Sequence, residues 1–162
     1  MDFVIFIFLF IVQRLSELLI AKRNEKWLRQ NGAIEYGRRH YPFIIALHTL
    51  FILSLIIEYL VRNHPFIDCI FLFFFGVLIS MKIWVIFSLG KYWNTKIFRI
   101  QGSSPIRRGP YKFLKHPNYI IVVLEFIVIP LVFHLYYTAI IFSILNAFML
   151  SVRVKEEERV WT

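Results

Sequence analysis

The chain has 162 residues, of which 59% are hydrophobic and 19% aromatic, and its mean hydropathy is +0.64. Soluble domains average about 45–50% apolar residues, so this composition argues against an ordinary soluble domain and favours the bilayer as solvent. The net charge of +9 first points to nucleic acid, but the position of the charges along the chain gives a different interpretation.

Four apolar stretches follow one another, at residues 3–21, 42–61, 66–89 and 119–152. A crossing helix needs about 20 residues, so the last stretch is predicted to form two helices that turn near residues 130–137. We therefore predict an all-α integral membrane protein with about five transmembrane helices, the last two forming a hairpin. It is expected to be one domain, with three membrane helices in residues 1–88 and a polar loop, the hairpin and a charged tail in residues 89–162.

Lysine and arginine are distributed very unevenly between the ends of these stretches. Sixteen of them lie in segments 22–41 and 90–118 and in the tail, whereas the opposite ends hold only Arg62. The positive-inside rule then places the N-terminus outside and both basic loops and the C-terminus in the cytoplasm. The basic charge is thus a topology signal and a contact for anionic lipid, rather than a nucleic-acid footprint.

The sequence GPYKFLKHPNY stands directly before the fourth apolar stretch. Pro117 disfavours helical geometry at His116 and can itself begin a helix. Asn118 and Tyr119 would then lie in the first turn, beside free backbone N–H groups that attract anions. A basic loop with an aromatic belt is the alternative interpretation. We adopt it for the lysines, and we expect a functional role for His116, Asn118 and Tyr119.

The tail contains RVKEEERVW, in which Arg153 and Glu157 share one helix face. A solvated tail with a surface ion pair, worth a few tenths of a kcal/mol, is one interpretation. A carboxylate pair beside an arginine that binds a cation or a ribose diol is the other, and the residues alone leave both open.

A few polar residues interrupt the apolar stretches. Glu125 is expected to face either a neighbouring helix or a polar cavity, because an intramembrane carboxylate is costly. Arg14 and Glu17, three residues apart, are predicted to form an internal pair. Lys82 is expected to extend toward the cytoplasm, and the single cysteine, Cys69, is expected to be a buried small hydrophobe.

Several motifs are missing from the sequence. It has no G-x-G-x-x-G, no Walker loop, no histidine spacing typical of a metal site and no recognisable nucleophile motif. This argues against a Rossmann dinucleotide fold, a di-iron desaturase and a zinc protease.

Three motifs in order resemble the isoprenylcysteine carboxyl methyltransferase family in its short prokaryotic form. They are SLGKYWNT, GPYKFLKHPNY and RVKEEERVW, and the similarity covers roughly residues 89–161. The resemblance implies a methyltransferase in the bacterial cell membrane that uses S-adenosylmethionine at its cytoplasmic face. It implies catalytic roles for Arg153 and Glu157. The cofactor-binding residues that it implies are Tyr111, His116, Asn118, Tyr119 and Glu158.

The expected function is therefore O-methylation of a lipid-like acceptor that carries a carboxylate or an acidic hydroxyl. Membrane lipids are expected partners, and neither nucleic acid nor a metal is expected. The alternatives are a non-catalytic lipid-binding scaffold and a membrane reductase with a nicotinamide cofactor.

Overall fold

The computed structural model describes residues 2–63 and 65–161. These residues form five α-helices and one pair of short strands. In chain order they are α1 (Phe3–Gln30), β1 (Ala33–Tyr36), α2 (Tyr41–Val61), α3 (Cys69–Leu89), β2 (Ile97–Ile100), α4 (Pro117–Leu131) and α5 (Tyr136–Trp161). Helices α1, α2, α3 and α5 are long and apolar enough to cross a membrane, and α4 is a shorter apolar helix. The protein is thus an integral membrane protein.

The hairpin predicted for residues 119–152 is present as α4 and α5, which the four residues 132–135 connect. With 15 residues, α4 is about 22 Å long, less than the hydrocarbon thickness of about 30 Å. Within the part of the chain that the structure describes, four helices therefore have the length to span the bilayer, whereas about five were predicted. Pro130 lies inside the last turn of α4 and ends the helix near the predicted point.

Helix α1 continues well past residue 21, where its apolar stretch ends. Its 28 residues give a length of about 42 Å, more than the hydrocarbon thickness of about 30 Å. The added segment consists mostly of good helix formers, and Glu25 pairs with Arg29 one turn later at 2.7 Å. The end of the apolar stretch marks the change from an apolar to an aqueous environment, whereas the helix continues for as long as its residues favour helical geometry.

The two strands form an antiparallel ribbon, in which Ala33 lies opposite Ile100 and Tyr36 opposite Ile97. The fold is otherwise helical, as predicted. Each strand has only four residues, too few for a sequence pattern to show. Lys96 ties the ribbon to α1 through Glu25, at 3.0 Å. The strands thereby hold the loop after α3 against the C-terminal end of α1.

The loops rich in lysine and arginine gather at one end of the bundle, which we call the basic end. At the other end an aromatic core joins α1, α2, α3 and the α4–α5 turn. It includes Phe3, Phe6, Phe51, Phe75 and Phe133, none more than 8% exposed. The bundle is therefore densely packed at the end that lies away from the predicted site.

Glu58 and Cys69 lie at that aromatic end. Glu58 accepts hydrogen bonds from the backbone N–H groups of Tyr137 and Thr138, at 3.2 and 2.7 Å, and so caps the start of α5. Cys69 begins α3 and is exposed, so the expectation of a buried cysteine was wrong. In a membrane protein an apolar stretch marks contact with lipid as much as burial in the protein.

A cluster of four charged residues crosses the middle of the bundle. Arg14 pairs with Glu17 at 3.0 Å, as predicted, and its other terminal nitrogen lies 2.7 Å from Glu125. Lys82 donates to Glu125 at 2.6 Å and is only 2% exposed. The expectation that Lys82 extends toward the cytoplasm was therefore wrong, because a carboxylate from α4 satisfies its charge inside. Glu125 faces neighbouring helices, the first of its two alternatives.

Candidate active site

Residues from α4 and α5 meet at the basic end. Tyr119, in the first turn of α4, donates a hydrogen bond from its hydroxyl to Glu157 near the end of α5. The same hydroxyl accepts a hydrogen bond from Nε of Arg153 at 2.9 Å. The hairpin thus brings together two sequence motifs that lie more than 30 residues apart.

His116 stands just before α4, with φ −132° and ψ 62°, outside helical geometry as Pro117 predicts. Its ring stacks on Tyr119, with the centroids 5.2 Å apart and the planes 10° from parallel. Nδ1 of His116 lies 3.8 Å from a carboxylate oxygen of Glu157. Nε2 is buried and has no partner among the described residues.

The start of α4 offers fewer free amides than predicted. The N–H groups of Tyr119 and Ile120 both donate to the carbonyl of His116, at 3.1 and 3.4 Å. The bond from Ile120 is the ordinary first bond of a helix, whereas the bond from Tyr119 uses a donor that an ideal first turn leaves open. Recognition of an anion here therefore depends on side chains more than on the helix start.

Arg153 is held from two sides. Besides Tyr119, it donates from Nη2 to the backbone carbonyl of Thr95 at 2.6 Å, and its guanidinium carbon lies 5.2 Å from the centre of the Tyr119 ring. Nη1 has no protein partner within the described residues. The surface ion pair between Arg153 and Glu157 is not formed, because the Tyr119 hydroxyl lies between the two side chains.

Thr95 and Tyr41 belong to this site although sequence reasoning gave neither a role. Their hydroxyls are hydrogen-bonded at 3.0 Å, so Tyr41 fixes the residue whose carbonyl holds Arg153. Thr95 ends the SLGKYWNT motif, which was a signal for it. Tyr41 lies in the N-terminal half, and nothing in the sequence pattern marks it.

His40 comes close to the site from the start of α2. Burial and the positive charge of Arg153 lower the pKa of His40 below its ordinary value. The ring is therefore neutral at physiological pH and adds no cation beside Arg153.

A cavity of about 1210 Å³ opens beside these residues. Six of the seven predicted site residues contribute to its walls; these are Tyr111, His116, Asn118, Tyr119, Arg153 and Glu157. Burial, and next the negative charge of Glu157, raise the pKa of Tyr111 above its ordinary value. Its phenol stays protonated at physiological pH and can donate a hydrogen bond.

Glu158 is the predicted residue that the structure does not bring into this group. Its carboxylate pairs with Lys115 at 2.5 Å, and its side chain is 45% exposed. It is not among the described residues that line the cavity. Its role as a cofactor ligand stays a prediction, while the pair with Lys115 links the end of α5 to the loop before α4.

The motifs and the membrane helices agree with a comparison against known families. A profile of the isoprenylcysteine carboxyl methyltransferase family matches residues 69–161. The chain belongs to this family. The resemblance drawn from three motifs is thereby confirmed, and the match begins at the start of α3. Membership of this family implies a membrane methyltransferase, and members of the family use S-adenosylmethionine and act on lipid-like substrates.

Two bacterial relatives match this family member along most of its length. The uncharacterized protein YpbQ of Bacillus subtilis is 45% identical over 161 residues, covering 97% of this chain and 95% of the relative. An uncharacterized protein of Haemophilus influenzae is 32% identical over 151 residues, covering 90% and 86% respectively. No solved structure matches the chain.

Proposed function

We propose that the protein is an S-adenosylmethionine-dependent O-methyltransferase acting on a lipophilic acceptor that carries a carboxylate or an acidic hydroxyl. The observation that carries this proposal is the group of His116, Tyr119, Arg153 and Glu157 on one wall of the large cavity. Family membership supports the reaction class. The position of these four side chains at the cavity supports their assignment as site residues.

The donors and acceptors at the cavity fit S-adenosylmethionine. When bound, this cofactor supplies a methyl group made electrophilic by a sulfonium. Glu157 can accept hydrogen bonds from a ribose diol, and the faces of Tyr119 and Tyr111 suit a cation. Nε2 of His116 and the indole N–H of Trp93 are buried beside the cavity and have no hydrogen-bond partner among the described residues. A buried polar group without a partner is costly unless a ligand satisfies it.

Arg153 is proposed to bind the acceptor. Nε and Nη2 are used to fix the guanidinium, so Nη1 can donate to an acceptor oxygen without any loss of orientation. Its charge stabilises the oxyanion that accepts the methyl group. An acceptor that is already an anion needs no strong general base, and correct placement then supplies much of the rate enhancement.

The active site is proposed to face the cytoplasm of a bacterial cell. Sixteen of the 19 lysines and arginines lie in the segments that gather at the basic end, and such an excess is typical of the cytoplasmic side. With the N-terminus outside, a lipophilic acceptor would reach the cavity from the inner leaflet.

Binding of the cofactor to the purified full-length protein in nanodiscs tests the site. We expect S-adenosylmethionine to bind, and His116→Ala and Glu157→Ala to weaken binding at least tenfold. His134→Ala and Glu156→Ala are the matched controls, since both lie outside the cavity lining. Normal affinity in both site variants would contradict the assignment, and binding of NADPH instead would favour a reductase.

Transfer of a labelled methyl group to lipid extracts of the source cell tests the activity itself. We expect label in an organic-soluble product, and Arg153→Ala should abolish it. Cofactor binding without any transfer would favour a binding protein over an enzyme.

A further inference from the structure

The loop of residues 107–115, between β2 and α4, carries three cations with no use in the site described above. Arg107, Arg108 and Lys112 are exposed, and none has a carboxylate partner within the described residues. Other cations of the basic end are paired: Lys96 lies 3.0 Å from Glu25, and Lys115 lies 2.5 Å from Glu158. Three unpaired charges within six residues attract an anionic ligand.

Apolar side chains stand directly beside these cations. Phe113 is 82% exposed and Leu114 is 42% exposed, while Phe87 on the adjoining end of α3 is 81% exposed. A small soluble anion would bind the cations but would make no favourable contact with the exposed aromatic and aliphatic side chains beside them. A bilayer surface offers both partners, because headgroup phosphates meet the cations while acyl chains cover the apolar groups.

The loop packs against the end of α3. Gly109 has φ +52°, a left-handed conformation that favours glycine, and a Cβ there would overlap the hydroxyl of Ser88 on α3. The turn formed by Gly109–Lys112 therefore sits flush against the end of α3. It presents Arg107, Arg108 and Lys112 from a fixed backbone.

The same residues stand at the rim of the large cavity, whose lining includes Arg107, Arg108, Lys112 and Phe113. We propose that loop 107–115 is a binding surface for anionic phospholipid headgroups, with Phe113 and Leu114 inserted among the acyl chains. A headgroup held by these cations then borders the mouth of the cavity. This inference does not depend on the methyltransferase reaction.

A fluorescent probe on the loop tests the proposal in the full-length protein. Leu114→Cys in a Cys69→Ser background carries an environment-sensitive dye, and nanodiscs of phosphatidylcholine receive rising fractions of phosphatidylglycerol. We expect a blue shift that grows with phosphatidylglycerol and weakens with salt. Inorganic phosphate added to pure phosphatidylcholine discs should not cause it.

The charge requirement is tested by the triple variant Arg107→Gln, Arg108→Gln, Lys112→Gln. Each cation near an anionic surface contributes about fivefold, so the triple change should reduce the preference for phosphatidylglycerol on the order of 100-fold. The matched control removes three exposed cations of α1 at the same end, none of which has a carboxylate partner among the residues that the structure describes: Lys22→Gln, Arg23→Gln, Lys26→Gln. It should retain the response.

Three results would overturn the proposal. They are an equal response to both lipids, an equal shift with inorganic phosphate alone, and an equal loss in the two triple variants. In addition, Phe113→Ser should reduce the maximal blue shift while the dependence on phosphatidylglycerol persists. An unchanged maximum would contradict the insertion of Phe113.

Discussion

Two clusters of polar residues in this protein contain similar side chains but lie in different surroundings. The inner cluster joins α1, α3 and α4 through two cations and two carboxylates, and Glu125 at its centre is fully buried. The outer cluster joins α4 and α5 through Tyr119, Arg153 and Glu157, and all three line the cavity. None of the inner residues lines that cavity. A charge network whose charges balance inside the protein stabilises the bundle, whereas one that borders a cavity can recognise a ligand.

Removal of the central carboxylate of the inner cluster is expected to have the largest effect. Glu125→Ala leaves the buried Arg14 and Lys82 with Glu17 alone as a carboxylate partner, at 3.0 and 3.6 Å, so two positive charges face one negative charge. We expect a loss of about 3–5 kcal/mol in the free energy of unfolding, measured by denaturation in detergent.

The double variant Glu125→Leu, Lys82→Leu is the control for that loss. It removes one charge of each sign and leaves Arg14 paired with Glu17, so most of the stability should return. If Glu125→Ala unfolds like the unmodified protein, the inner cluster does not stabilise the bundle.

Arg153→Lys tests the outer cluster with a smaller expected effect, on activity and not on stability. A lysine keeps the charge but cannot hold Tyr119 and the Thr95 carbonyl with a fixed planar group. We expect kcat/KM to fall about 100-fold, which corresponds to about 2.7 kcal/mol of transition-state stabilisation. Arg159→Lys, on the same helix but outside the cavity lining, should change nothing. A large fall in the unfolding midpoint of Arg153→Lys would show that the outer cluster is structural.

Thr95→Val should have the smallest effect of the three. The change removes the hydrogen bond to Tyr41 but keeps the carbonyl that holds Arg153. A neutral hydrogen bond contributes about 0.5–1.5 kcal/mol, so kcat/KM should fall about 2- to 10-fold. Tyr41→Phe should match it, and the double variant should be no worse than either single one. Additive losses would mean that the two hydroxyls act independently.

Sequence patterns predicted the parts of this fold that depend on solvent or on local geometry. The hairpin followed from the length of one apolar stretch, and His116 from the backbone restriction that Pro117 imposes. Contacts between distant segments could not be predicted. Lys82 has a carboxylate partner 43 residues away, and Tyr41 reaches Thr95 across 54 residues. Neither pairing leaves a periodic trace in the sequence.

The residues of the outer cluster were predicted, but the hydrogen bonds between them were not. Arg153 and Glu157 were placed on one helix face, which suggested a direct pair, and only the packing of α4 on α5 inserts the Tyr119 hydroxyl between them. Glu158 was chosen with Glu157 as an adjacent carboxylate. On a helix, adjacent residues point about 100° apart, which explains why one faces the cavity and the other faces Lys115.

The exposed thiol of Cys69 gives this protein a built-in reporter of its own orientation. It is the chain's only cysteine and stands in the first turn of α3, at the end opposite the cavity. A maleimide that cannot cross membranes would therefore label intact cells if the basic end lies inside, and only lysed cells if the orientation is reversed. The orientation in the membrane can therefore be measured on the unmodified sequence.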